Sequence, residues 1–207
     1  GRRKGTMDFI IVCSAALGAS CLTFFSGFGL GTILMPVFLI FFPAPTAVAL
    51  TAVVHFMNNS MKSVMLWRAA RWDAVLKFGL PAFVFAFAGA RVLFWAHRVE
   101  PLYEYALFGA RFSVTALKLL LGALIAVFAV LELSSALRDI RFPPGTLPAG
   151  GALSGFFGGL SGHQGALRSM FLLKCGLEKE QYIATGVIAS MLVDISRITV
   201  YWRRLTG

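Results

Sequence analysis

Charge is what this sequence has least of. Only 14% of its 207 residues are Asp, Glu, Lys or Arg, where a water-soluble domain carries about 25%. Acidic groups are scarcest, 9 against 19 Lys and Arg. Cysteine is almost absent: Cys13, Cys21 and Cys175 are too few and too scattered for a disulfide framework or a metal motif. They read as small buried apolar residues, and no metal or cofactor is expected. Long polar segments are missing too, except at 134–145. These shortages exclude a zinc-bound or disulfide-stapled domain and an ordinary soluble enzyme.

Hydrophobicity is abundant instead. Apolar residues make up 58% of the chain, and mean hydropathy is +0.79. Apolar runs cover residues 9–25, 33–42, 47–67, 78–96, 112–133, 147–173 and 182–202. Most approach the roughly 20 residues that a helix needs to cross a bilayer. The fold expected is therefore all-α, a polytopic transmembrane helix bundle. The net charge of +10 sits mainly at the ends of these runs, where headgroups and positive-inside sorting account for it. Nucleic-acid binding is excluded on that ground, since no basic patch with interleaved aromatics stands apart from the runs. The lipid bilayer is one expected partner, a small anion the other, and a homodimer is compatible with such a bundle. Arg2-Arg3-Lys4 before an apolar run has the outline of a signal peptide, but the run continues past Cys21 and predicts an uncleaved first span.

Two stretches break the apolar pattern with glycine. The first is Gly27-Phe28-Gly29-Leu30-Gly31-Thr32, and the second spans residues 155–168 and adds His163, Gln164 and Arg168. Inside hydrocarbon a glycine-rich break survives only where protein or a water-filled cavity surrounds it. Paired breaks in corresponding segments point to a transporter binding site. Each break is expected to precede a short apolar run, a turn and a long helix. Thr46 is read as the N-cap of the first long helix, which carries Thr51, His55, Asn58 and Lys62 along one face. The second carries Ser190, Asp194, Arg197 and Tyr201 at the same spacing. Sliding the second half by 134 residues sets Gly31 on Gly165 and Thr51 on Thr185. The organisation expected is a first transmembrane repeat at 1–137, a polar linker at 138–146 and an incomplete second repeat at 147–207. The two breaks should face one another near the bilayer midplane. Gly1 and Gly207 suggest a fragment, with Met7 the natural start and the second repeat cut short.

The glycine segments resemble those of the sulfite exporter TauE/SafE family of membrane anion transporters. That family carries in each half a segment of the kind G-x-G-G-G-x-x-x-x-P. Residues 27–36 fit it with Leu30 in place of one glycine; the segment from Gly162 fits more loosely, with His163 and Gln164 for small residues and Met170 where proline is expected. The resemblance covers nearly the whole chain. It implies a secondary transporter, not an enzyme, moving sulfite, organosulfonate or a related sulfur-containing anion across the bacterial inner membrane as a multi-pass protein.

The residues allow a matching chemistry. Helix N-termini at the breaks offer N–H groups and partial positive charge to an anion. The substrate site is expected from Gly27, Gly29, Gly31, Gly162, His163, Gln164, Gly165 and Arg168, with Asn58 and Asn59 contributed by the first half. Gln164 and Arg168, four apart, share a helix face, and Arg168 supplies a planar donor fork. Arg168 paired with Asp194 as a helix strut is the competing reading. Asp194 and Arg197 either pair structurally or couple transport to protons, and His163 is either a proton site or a hydrogen-bonded structural residue. Two other classes stand beside transport. One is a non-transporting membrane assembly or scaffold protein. The other is an intramembrane serine protease built on Gly159-Leu160-Ser161-Gly162, for which His163, two positions on, would point to the opposite side of a helix.

Overall fold

The computed structural model describes residues 2–23, 30–107, 110–134, 142–173 and 175–206. Among the described residues the chain is all-α apart from one hairpin. Its helices are α1 (Arg2–Thr23), α2 (Leu30–Phe41), α3 (Ala44–Leu66), α4 (Trp72–His97), α5 (Ala116–Leu133), α6 (Leu147–Ser161), α7 (Gly165–Leu172) and α8 (Lys179–Thr206). The order long, short, long occurs twice, as α1–α2–α3 and as α6–α7–α8. Among the described residues only Trp72–His97 and Lys179–Arg203 are long and apolar enough to cross a membrane; Phe9–Thr23, Leu30–Phe41 and Ala116–Leu131 are shorter apolar helices. Fewer spans pass than the apolar runs promised: turns and a hairpin cut some of those runs, and α3, long enough at 23 residues, is made too polar by residues such as His55, Asn58, Asn59 and Lys62.

Several boundaries differ from expectation for local reasons. Residues 112–114, counted to the fifth apolar run, form strand β2 (Ala110–Val114), paired antiparallel with β1 (Tyr103–Leu107). The helix starts after Thr115, whose hydroxyl accepts from the Lys118 N–H at 3.1 Å, and the Lys118 ammonium bonds back to the Ser113 carbonyl at 2.7 Å. Thr46 is not an N-cap: α3 begins at Ala44, with Pro43 at the cap and Pro45 in the first turn, where a missing N–H costs nothing. The helix of the fourth run begins at Trp72, not Phe78, and a π-helical turn at Val75–Gly79 precedes Pro81. That turn absorbs the hydrogen bond the proline cannot make. Cys13 and Cys21 are exposed and Cys175 half-buried, because α1 is covered on one face only. Gly27 and Gly29, residues 135–137 at the end of the expected first repeat and residues 138–141 of the expected linker lie outside the described residues.

Helix α6 shows what most of the second glycine stretch does. A Cβ at Gly151, Gly155 or Gly159 would overlap the backbone of Phe78, Ala82 and Ala86 respectively, and one at Gly89 would overlap Phe156. Glycine on successive turns thus lets α4 and α6 run parallel at backbone contact, the small-residue packing of membrane helices. The break is therefore shorter than residues 158–165. Gly158 and Gly159 are helical, and only Gly162, His163 and Gln164 stand between α6 and α7. Gly162 ends α6 at φ 83°, a left-handed conformation that favours glycine.

Two apolar cores flank this junction. Leu34, Met35 and Phe38 of α2 pack with Ala47 and Val48 of α3 and Leu117 and Leu121 of α5. Phe171 and Leu172 of α7 pack with Phe78 and Ala82 of α4 and Val193 of α8. Helices α3 and α8 run antiparallel between them: Asn59 meets Asp194, and the Arg71 N–H, beyond the end of α3, meets Thr185 near the start of α8.

Candidate binding cavity

The polar groups of the chain collect where α2, α3, α7 and α8 meet. Charged residues are almost never buried without a partner or a task, yet Lys62, Arg168, Asp194 and Arg197 are all buried here. Asp194 is fully bound. Arg197 Nε lies 3.0 Å and Nη2 2.6 Å from its Oδ1, and Asn59 Nδ2 donates to its Oδ2 at 3.3 Å. Arg197 also donates through Nη1 to the Gly158 carbonyl at 3.3 Å. The pair on α8 thus ties α3 and α6 to itself. Tyr201, one turn on, donates to the Gly159 carbonyl.

A small cavity of about 20 Å³ lies beside this strut, lined by Thr23, Leu30, Gly31 and Thr32, by His55, Asn58, Asn59 and Lys62, by Gly162 to Gly165, and by Arg168 and Ser190. The first turns of α2 and α7 both reach it. The two breaks come together there, because a Cβ on Gly31 would sit 3.1 Å from the Gly162 carbonyl and 3.4 Å from His55 Nε2. Lys62 donates to the Thr23 carbonyl at 3.2 Å, and Arg168 donates to the Ser190 hydroxyl. Four polar atoms on the lining are buried without a hydrogen-bond partner: His55 Nε2, Asn58 Oδ1, His163 Nε2 and Gln164 Nε2. Orphans of this kind are costly, and their convergence on one cavity marks a place where a ligand or water completes them.

Most of the residues singled out in the sequence meet here. Gly31, Asn58, Asn59, Gly162, His163, Gln164, Gly165 and Arg168 line one cavity; Asp194 and Arg197 stand behind it as the strut. Gln164 and Arg168 share a wall, and the Arg168 N–H bonds to the Gln164 carbonyl at 3.0 Å. Thr23, Leu30, Thr32, His55, Lys62 and Ser190 complete the lining and are not among the expected site residues. His55 and Lys62 did carry a signal, their place with Asn58 on one face of α3, and Ser190 had its own on α8. Leu30 and Thr32 stand in the first glycine stretch, and Thr23 carries no signal.

One expectation is overturned. His163 does not point away from Ser161: its Nδ1 lies 3.2 Å from the Ser161 hydroxyl, because the helix ends at Ser161 and Gly162 turns the chain back. Ser161 is nonetheless fully buried and donates to the Phe157 carbonyl of its own helix at 3.0 Å, and the His163 ring stacks on Phe128 at 5.6 Å. Among the described residues no group of three His, Cys, Asp or Glu is placed to hold a metal ion.

Comparison with known proteins gives one match. The family model described as sulfite exporter TauE/SafE aligns with residues 12–207. No curated protein and no solved structure matches.

Proposed function

The chain belongs to the TauE/SafE family of sulfite exporters, which are membrane transport proteins, and from that premise we propose that it carries sulfite or a related sulfur-containing anion through the cavity between α2, α3, α7 and α8. The observation that carries this reading is a pair of buried cations, Lys62 from α3 and Arg168 from α7, on the wall of one cavity. A cation at the centre of a membrane helix costs about 2.5–3.5 kcal/mol on insertion scales, so two on one cavity are explained best by an anion that visits it. The guanidinium offers a planar fork to an oxyanion, the ammonium a point charge. Gln164 Nε2 adds a neutral donor, and the first turns of α2 and α7 add N–H groups. At about 20 Å³ the cavity has room for water but not for a three-oxygen anion, so in this reading binding widens it.

The same reading places α1–α3 and α6–α8 as inverted repeats around the cavity, with the chain multi-pass in the inner membrane. Antiparallel α3 and α8 support that arrangement. Asp194 and Arg197 then serve as the strut that holds the repeats together. The protease reading loses its support, since Ser161 faces its own helix and is closed off from any substrate.

The test is equilibrium sulfite binding to the purified protein, followed by flux in proteoliposomes. Lys62→Gln and Arg168→Gln should each weaken binding by about tenfold to a hundredfold, the worth of a hydrogen bond to a charged group, while the protein stays folded. Undiminished affinity in both variants would move the site elsewhere.

A further inference from the structure

Arg168 borders two cavities. Besides the central one it lines a second, of about 10 Å³, with Tyr182, Ile183, Gly186 and Val187. Its side chain lies along one turn of α8: Nη1 bonds Ser190, on the central cavity, while a Cβ on Gly186 would sit 3.1 Å from Nε and 3.5 Å from Cδ. The guanidinium is therefore the partition between the two spaces. Tyr182 and Ile183 on its lining lie in the first turns of α8, and Glu178, Lys179 and Glu180 just before them in the chain are exposed. Tyr182, on the lining of this outer cavity, donates its hydroxyl to Ser169 Oγ at 2.9 Å; Ser169 in turn donates to the Gly165 carbonyl at 2.8 Å.

We infer that the anion passes between the central cavity and the aqueous end of α8 over Gly186, with Arg168 as the swinging partition and Tyr182 as the outer latch. This rests on the transport reading above and adds to it the route and the residues that bound it. The physical reason is that a cation beside an anion in a low-dielectric site stabilises it strongly, and a cation that turns with the anion keeps that stabilisation along the way. Arg168 has a long flexible stem and a donor fork that turns without releasing an oxyanion. The stem needs bare backbone to move across, and Gly186 supplies it. Any side chain there narrows the gap that the guanidinium sweeps.

The experiment separates binding from passage. Ile183→Trp fills the half-buried mouth of the outer cavity without touching the central one, and Gly186→Ala narrows the sweep. Sulfite binding to each purified variant should stay within about twofold of the parent, while sulfite flux in proteoliposomes falls at least about tenfold for Ile183→Trp and several-fold for Gly186→Ala. Parental flux in folded Ile183→Trp would overturn the route. So would a matched loss of binding and flux in Gly186→Ala, which would make Gly186 a seat for Arg168 and not a passage. Should Ile183→Trp fail to fold, Gly186→Ala alone decides. A parent protein that binds no sulfite at all would sink the transport reading instead, and that result is distinct from either.

Discussion

Counted from the first residue of its helix, Asn59 stands on α3 where Asp194 stands on α8, and Lys62 stands where Arg197 stands. The two places carry the same step, a polar group and then a cation three residues on, and Asn59 and Asp194 touch. The difference lies in one functional group. On α8 the carboxylate holds the cation at 2.6 Å, so the charges cancel in a fully buried site. On α3 an amide stands there, cancels nothing, and gives its N–H to the opposite carboxylate. Lys62 lies on the cavity wall and donates to the Thr23 carbonyl at 3.2 Å. One helix uses the step to fasten neighbours and the other to present charge. The short helices reverse the roles: α2 carries no ionisable residue at all, while α7 carries Arg168. The cavity thus takes one cation from a long helix, α3, and one from a short helix, α7.

The strongest way to break this comparison is to remove the group that makes the two steps differ. Asp194→Asn leaves Arg197 buried without its countercharge and should cost about 3–5 kcal/mol of stability. Asn59→Ala removes one hydrogen bond to a carboxylate and should cost less, about 1.5–3 kcal/mol. Unfolding measured in mixed micelles checks both. Equal losses would mean that the two positions do the same work.

Exchanging the readout sharpens the contrast. Lys62→Gln should lower sulfite affinity by about 1.5–3 kcal/mol with little change in unfolding, whereas Arg197→Gln should lower stability by about 3–5 kcal/mol. Binding titration beside thermal unfolding separates them. A Lys62→Gln variant that is unstable yet binds normally would make Lys62 a strut as well.

The opening helices of the two halves differ in their glycines. Gly155 on α6 faces the backbone of Ala82, while Gly18 on α1 has open space around it. Gly155→Ala must push two helices apart and should cost at least about 1–3 kcal/mol. Gly18→Ala only removes backbone freedom and should gain about 0.5–1 kcal/mol. The same unfolding assay reads both, and a loss at Gly18 would show that α1 is packed as closely as α6.

How much of this the sequence makes legible depends on which interaction fixes each feature. The helical elements, the junction at Gly162 and the polar faces of α3 and α8 follow from apolar periodicity and glycine, both local properties. The role of Gly155 and Gly159 does not. A helix-packing glycine and a helix-breaking glycine look alike until a neighbouring backbone is placed against one of them. The Ser161–His163 contact is hidden for a related reason, because helical spacing was assumed across a residue whose φ is positive. The partner of Asp194 also stays open in the sequence: Arg168 and Arg197 are equally good cations, and only the fold puts Arg197 against it. The hairpin at residues 103–114 is disguised by Phe112 and Val114, which suit a strand as well as a span.

The finest comparison is between Thr51 and Thr185, matched by the slide of 134 residues and both fully buried. Thr51 donates to the Ala47 carbonyl of its own helix at 2.8 Å. That carbonyl keeps its main-chain partner within α3, so Thr51→Val leaves no backbone group unpaired and should shift stability by no more than about 0.5 kcal/mol. Thr185 instead accepts from the Arg71 N–H at 3.0 Å, fastening the turn before α4 to α8. Thr185→Val strands that N–H at a partly exposed site, where water replaces part of the bond, and should cost about 1 kcal/mol. Amide exchange at Arg71 gives the local reading. It should quicken in Thr185→Val and stay unchanged in Thr51→Val. Faster exchange at Arg71 in both variants would mean that the turn is held through α3 as much as through α8, and the two threonines would then be equivalent in effect as well as in position.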